Sequence, residues 1–343
     1  MFRDRVFDRG RRELLLFAAL SVVLVLFRSF LSIWYEGFDF DSDQAVVGLM
    51  AKHLAEGRAF PLFFYGQHYM LGVQSWMAAP FFLLGGPSVF TLRLPLVLVN
   101  CAVAVLLIGL LTKHARLRPA ISFVVTLPFL MPPAAVASLL LETRGASVEP
   151  FLYVLLLWML RRRPIWFGLV FAIGFLHREF TLFAIPALIA VMVLDRSLFT
   201  RLTLERAMTM VLPMVGVWMI VDFLKTRVDV YGPRTGPIEN GPLSLQVQSV
   251  LNPVCVDPRE LAAHARSMFI DCLPDLFGGR TFPLRYHDVN STLSAGSSII
   301  GWLLVGGAVL AVARIVVLVR RDRSDAAPYF AEYLGLVGLQ SMM

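Results

Sequence analysis

MLGVQSWMAAPFFLLG, residues 70–85, decides how the rest of this chain is read. The stretch is apolar enough to be taken for a membrane-crossing helix, and counting it as one would reverse the side on which every later loop emerges. A crossing helix needs about 20 mostly apolar residues, because in hydrocarbon each backbone N–H and C=O must be paired within the helix itself. Runs that approach this length occupy residues 14–33, 89–111, 119–141, 146–160, 164–177, 180–194, 207–223 and 298–319, and a further apolar run starts at 329–343. Cytoplasmic loops collect Lys and Arg. With the N-terminus cytoplasmic and 70–85 left out of the count, Lys113, Arg116 and Arg118 fall inside. So do Arg161, Arg162 and Arg163, then Arg196, Arg201 and Arg206, then Arg320, Arg321 and Arg323. All the strongly basic loops then share one side. Residues 70–85 are therefore expected to form a juxtamembrane or re-entrant helix at the outer interface, with Trp34, Tyr35, Tyr65, Tyr69 and Trp76 as an aromatic belt at that level.

Composition agrees that water is not the main solvent. The chain is 57% hydrophobic and 16% charged, against a charged share of about 25% in soluble domains, and its mean hydropathy is +0.71. A length of 343 residues would allow two or three soluble domains at about 150 residues each, but the apolar runs follow one another too closely for separate soluble cores. The expected fold class is an all-α polytopic membrane protein. A net charge of +7 would suit nucleic acid, yet the cations sit in short clusters between apolar runs, a pattern that sets topology; no nucleic-acid partner is expected. Cys101 lies in an apolar run, which leaves Cys255 and Cys272 as a pair that an oxidising compartment would allow to bridge. Arg3, Arg5, Arg9, Arg11 and Arg12 precede the first apolar run and no small-residue cleavage site follows it, so it is expected to be retained as a span.

Three regions follow: a transmembrane module over 1–223 that includes outer loop 34–88, a second outer loop over 224–297, and C-terminal segments over 298–343 that read as cut short. Long loops in a compact architecture are usually functional. The second loop carries Pro233, Pro237, Pro242, Pro253, Pro258, Pro274 and Pro283, which exclude a long helix there.

The first loop opens with Phe38-Asp39-Phe40-Asp41-Ser42-Asp43-Gln44. AVVGLMAKHLAEG follows and predicts an amphipathic helix ending at Gly57, with Val46, Val47, Leu49, Met50 and Leu54 as its apolar stripe. Ser42 or Asp43 would cap it. Asp39, Asp41 and Asp43 exceed the need of one cap, and their mutual repulsion calls for a compensating cation, metal or proton. In the next outer turn, Glu142-Thr143-Arg144-Gly145 precedes Glu149; Arg144 either pairs with one of these carboxylates as an interfacial anchor or contacts a ligand. The third turn, His177-Arg178-Glu179, separates two short spans. An ionisable side chain at mid-bilayer costs about 2.5–3.5 kcal/mol on insertion scales and marks function by default. The Arg178 guanidinium presents a two-pronged donor suited to phosphate, and pairing with Glu179 is disfavoured because helix neighbours point apart.

Residues 41–95, DSDQAVVGLMAKHLAEGRAFPLFFYGQHYMLGVQSWMAAPFFLLGGPSVFTLRLP, resemble the first loop of GT-C glycosyltransferases. The likeness is to bacterial members related to protein mannosyltransferases and aminoarabinose transferases. An acidic motif, an interfacial helix, an aromatic-rich stretch, a juxtamembrane helix and the Arg-x-Pro motif Leu92-Arg93-Leu94-Pro95 follow in the family's order, and the resemblance extends over residues 14–195. It implies a GT-C-like helix bundle in the bacterial inner membrane. The implied reaction is inverting transfer of a sugar from a polyprenyl-phosphate donor to an acceptor on the outer side. Asp43 matches the catalytic acidic position, with Asp41 second; many relatives have Glu where this chain has Gln44. Glu149 matches the second acidic position, and His68 stands where some relatives carry a metal-binding carboxylate, so His68, Glu149 and Asp43 are the expected ligands of a divalent ion. Arg178 matches the residue that holds the lipid phosphate, with His177, Arg144 and Tyr65 as further substrate contacts. A transporter or lipid flippase would also be polytopic and basic; its ionisable groups would lie within spans at broken helices. Pro128, Pro132 and Pro133 interrupt run 119–141 and keep that reading open, as does a non-catalytic fragment.

Overall fold

The computed structural model describes residues 2–35, 40–132, 134–145, 147–194, 196–198, 200–225, 262–263, 266 and 329–341. Cys255, Cys272, the second outer loop beyond those few positions and the run 298–319 lie outside the described residues. The described chain is mostly helical. Among the described residues, three helical stretches are long and apolar enough to cross a membrane: Gly10–Phe30 in α1 (Phe2–Trp34), Val89–His114, which is α4, and Thr203–Leu224 in α10 (Arg201–Lys225). The first is only 17% buried and the last 6%, so large apolar side chains such as Leu16, Phe27, Leu212 and Met219 face outward. A contiguous apolar surface of this extent is not carried against water by a monomeric soluble protein, whereas hydrocarbon accepts it at no cost.

Between these helices the chain departs from a series of simple spans. The run expected over 119–141 is two helices, α5 (Pro119–Leu130) and α6 (Ala134–Leu139). Residues 132 and 133 are proline and lack N–H, so the carbonyls of Pro128 and Phe129 have no donor four residues on. The Arg28 guanidinium of α1 supplies one, donating to the Phe129 carbonyl at 2.7 Å and to Asn100 Oδ1 at 2.5 Å. Asn100 in turn donates to the carbonyls of Leu96 at 2.8 Å and Leu140 at 2.9 Å. A cation inside one apolar run thus satisfies a carbonyl that a proline leaves bare, and an amide inside another orients that cation and ties α4 to the Leu140 carbonyl.

α7 (Glu149–Leu160), α8 (Pro164–His177), a 3-10 turn (Glu179–Phe183) and α9 (Ala184–Leu194) complete the described bundle before α10. At 1.5 Å per residue each of these helices spans about 16–21 Å, less than the ~30 Å of a bilayer core. Their apolar faces pack with α4 around Trp158, which is fully buried, and α11 (Phe330–Ser341) adds Phe330 and Tyr333 to the same core. Gly168 of α8 is needed for one of these contacts, since a Cβ there would lie 2.4 Å from the Met210 carbonyl oxygen of α10.

The helices alternate in direction. Arg93, at the start of α4, donates to the Ser32 carbonyl at the end of α1 at 2.6 Å, so these two are antiparallel. At the opposite end, His114 of α4 packs on Trp158 near the end of α7, with ring centres 6.1 Å apart. Leu176 meets Val221 while Gly168 meets Met210, so α8 and α10 run parallel. One end of the bundle gathers the turns around residues 41, 144 and 177; the other gathers those around 114 and 161.

Residues 70–85 are divided between a strand and a helix of 13 residues. Met70 and Leu71 close a two-stranded antiparallel hairpin, β1 (Phe63–Phe64) with β2 (Gln67–Leu71), in which Phe63 faces Leu71. α3 (Val73–Gly85) then packs between α2 (Ser42–Ala55) and α4. The helical content agrees with the all-α expectation, and the short hairpin, turned at Gly66 with φ 82°, is a local addition in the aromatic-rich stretch. The aromatic belt also divides. Trp34 and Tyr35 are exposed, but Trp76 donates its indole N–H to the Pro61 carbonyl at 2.7 Å and Tyr65 bonds His53 at 2.9 Å, so both serve the hairpin. The side chain of Tyr69 lies outside the described residues.

Candidate functional site

The first-loop helix α2 has a different buried face from the one its pattern predicts. Gln44, Val47, Met50 and Ala51 are buried, while Leu49 is 46% exposed and leaves the expected stripe. The cause is Gln44, whose side-chain oxygen accepts from buried Arg93 at 3.0 Å. A buried guanidinium needs acceptors, and Gln44 turns inward to provide one. This rotates the helix and fixes its N-terminus beside the start of α4.

The cap is Asp41, not Ser42 or Asp43: its Oδ1 accepts from the Gln44 N–H at 3.0 Å. The other Asp41 oxygen pairs with Arg144, and Arg144 also reaches Glu142 at 3.2 Å. Arg144 is therefore an ion-pair centre joining the first outer loop to the second outer turn. Asp43 stands in the first turn of α2, exposed to solvent, where a carboxylate also complements the helix dipole.

Behind Arg144 the turn is held from three sides. Gly145 adopts φ 100°, a conformation open to glycine, and a Cβ there would lie 2.5 Å from Met70 Cε. Its N–H donates to Gln74 Oε1 of α3 at 2.7 Å. Its carbonyl bonds one nitrogen of His177, whose other nitrogen lies 2.8 Å from the Tyr153 hydroxyl. His177 is fully buried. With both ring nitrogens engaged inside the protein, it ties the turn to α8. The next residue, Arg178, is half-buried at the C-terminus of α8 and makes no ion pair with Glu179 among the described residues.

Glu149 opens α7 almost wholly buried. One oxygen accepts from the Ser147 N–H at 2.8 Å and the other has no hydrogen-bond partner among the described residues. A buried carboxylate oxygen left bare calls for a proton, water or cation. For a divalent ion, however, no three His, Cys, Asp or Glu groups converge among the described residues. His68 lies on β2 by its backbone, and its side chain is outside the described residues.

The structure thus connects Asp41, Glu142, Arg144, Gly145 and His177, with Arg178 one residue beyond. Gln74 and Tyr153 belong to this cluster and were not anticipated. Gln74 carried a signal, as the one amide in an otherwise apolar run; Tyr153 carried none. No family model, curated protein or solved structure matches this chain.

Proposed function

We propose that this chain is a GT-C-type membrane glycosyltransferase that moves a sugar from a polyprenyl-phosphate donor to an acceptor at the outer face of a bacterial inner membrane. One observation supports the reading: at one end of the bundle Asp41 pairs with Arg144, which also reaches Glu142, and His177 bonds the adjoining Gly145 carbonyl, so the turns that carry Asp43 and Arg178 are tied to the same turn at 142–145. A nucleotide sugar is charged and cytoplasmic, whereas a lipid-linked donor reaches such a site through the bilayer.

In this reading an exposed carboxylate, Asp43, takes the proton of the acceptor hydroxyl as its oxygen bonds to the anomeric carbon from the face opposite the phosphate. The carbon–oxygen bond to phosphate breaks, and polyprenyl phosphate leaves with its charge held by Arg178. Asp41 and Arg144, paired with each other, hold the two turns in place. A divalent ion at Glu149 and His68 remains part of the proposal, but the described residues supply no ligand set for it and no step is routed through it.

The transporter reading draws on the proline break between α5 and α6. Against it, the Phe129 carbonyl at that break is already bound by Arg28. The deciding assay gives purified protein radiolabelled polyprenyl-phosphate sugars and a membrane extract, alongside Asp43→Asn and Arg178→Ala. Labelled product is expected from the wild type and not from either variant. Transfer that survives both substitutions refutes the site, and transport without transfer favours the rival.

A further inference from the structure

The opposite end of the bundle carries charge of another kind. The α4–α5 turn contributes Lys113, Arg116 and Arg118, the α7–α8 turn contributes Arg161, Arg162 and Arg163, and neither 111–118 nor 160–166 contains a carboxylate. The fold presses these turns together: the His114 ring lies edge-on to Trp158 and within electrostatic reach of Arg161, Lys113 and Arg162 at once. Two of the cations are committed. Arg161 lies over the Trp158 ring at 4.2 Å and donates to the Trp158 carbonyl at 2.8 Å, and Arg116 also has interactions of its own. Lys113, Arg162 and Arg163 are exposed.

Topology alone would be satisfied by cations spread along both loops. Here they are concentrated by tertiary packing, and the patch is bordered by outward-facing Met159, Ile165 and Trp166, which is 58% exposed. An indole beside a run of cations at a helix start suits the boundary between headgroups and hydrocarbon. We propose that Lys113, Arg162 and Arg163 form a binding site for the headgroup of an anionic phospholipid, with its chains against Ile165 and Trp166. The occupant follows from charge complementarity and depth: three exposed cations at an apolar border match a phosphate attached to hydrocarbon, on the side of the membrane where anionic lipid draws juxtamembrane cations. This inference uses the membrane orientation and is independent of the transferase reading.

The test compares phospholipid retained by the purified full chain, read by native mass spectrometry after exchange into mixed micelles of phosphatidylglycerol and phosphatidylcholine. Wild type is expected to retain phosphatidylglycerol preferentially, with the preference falling about fivefold for each of Lys113→Gln, Arg162→Gln and Arg163→Gln. It should also fall in the unaltered protein as salt is raised. The double variant Arg201→Gln, Arg206→Gln, on α10, removes two cations elsewhere and should leave the preference unchanged. Equal retention of both lipids by the wild type, insensitivity to salt, or an equal loss in the α10 variant would overturn the proposal.

Discussion

The two ends of the bundle use the same residue types to opposite purposes. Around Asp41, Arg144 and His177, polar groups are partly or wholly buried, each bonded to a residue distant in sequence, and the chain is held by them. Around Lys113 and Arg162, most of the cations are exposed, and Arg161 is stacked on an aromatic ring. The difference teaches that charge near a membrane acts through its surroundings. When desolvated and paired, it fixes geometry, and losing one partner strands the other. Left in water, it contributes almost nothing to folding and answers only to ligands and fields from outside.

The largest expected effect tests whether the acidic end is chemically active. Asp43→Asn and Arg178→Ala should each lower sugar transfer by about 10²–10⁴-fold, the usual contribution of a positioned acid–base group, in the radiolabel assay and with unchanged thermal unfolding. If the loss of activity came with loss of fold, the two ends would differ in structure only.

Next comes the tie at the proline break. Arg28→Leu leaves the Phe129 carbonyl and the Asn100 oxygen without their donor. It should destabilise the protein by about 3 kcal/mol, read as unfolding in detergent. Adding Asn100→Leu should cost less than the sum of the single losses, because the two act as one network.

Gly145→Ala should cost about 1–3 kcal/mol through its positive φ and the contact with Met70. Pairing it with Met70→Ala should recover the steric part and leave the backbone part. Full recovery would show that the turn's conformation is not strained for alanine.

A smaller loss, about 1 kcal/mol, is expected for Asp41→Asn. Asparagine caps a helix as well as aspartate but cannot pair with Arg144, so this variant isolates the ion pair. Asp41→Ala should lose the cap as well and fall further. Smallest of all, Arg162→Gln should change stability by less than about 0.5 kcal/mol; a larger loss would erase the contrast between the ends.

Much of the architecture was legible before any coordinates. The α8 run 164–177 coincides with the helix found. The run 89–111 likewise falls within α4, Val89–His114. The interruption of run 119–141 was visible in Pro128, Pro132 and Pro133, but the hydrogen bond from Arg28 to the Phe129 carbonyl was not, because Arg28 lies far from it in sequence. The apolar stripe of α2 went wrong at Leu49 for a related reason: hydropathy ranks glutamine as exposed and has no way to register that a buried arginine awaits it.

Sequence alone determined that this chain is rich in apolar runs long enough to prefer hydrocarbon, and which of its turns carry acid and which carry base. Those are properties of composition and order along the chain, and transfer free energy reads them directly. Only the tertiary structure decided which acid caps α2, that His177 is a buried tie, and that Arg144 joins two loops. Such assignments depend on which atoms are within about 3 Å once the helices have packed, and spacing along the chain does not encode that distance.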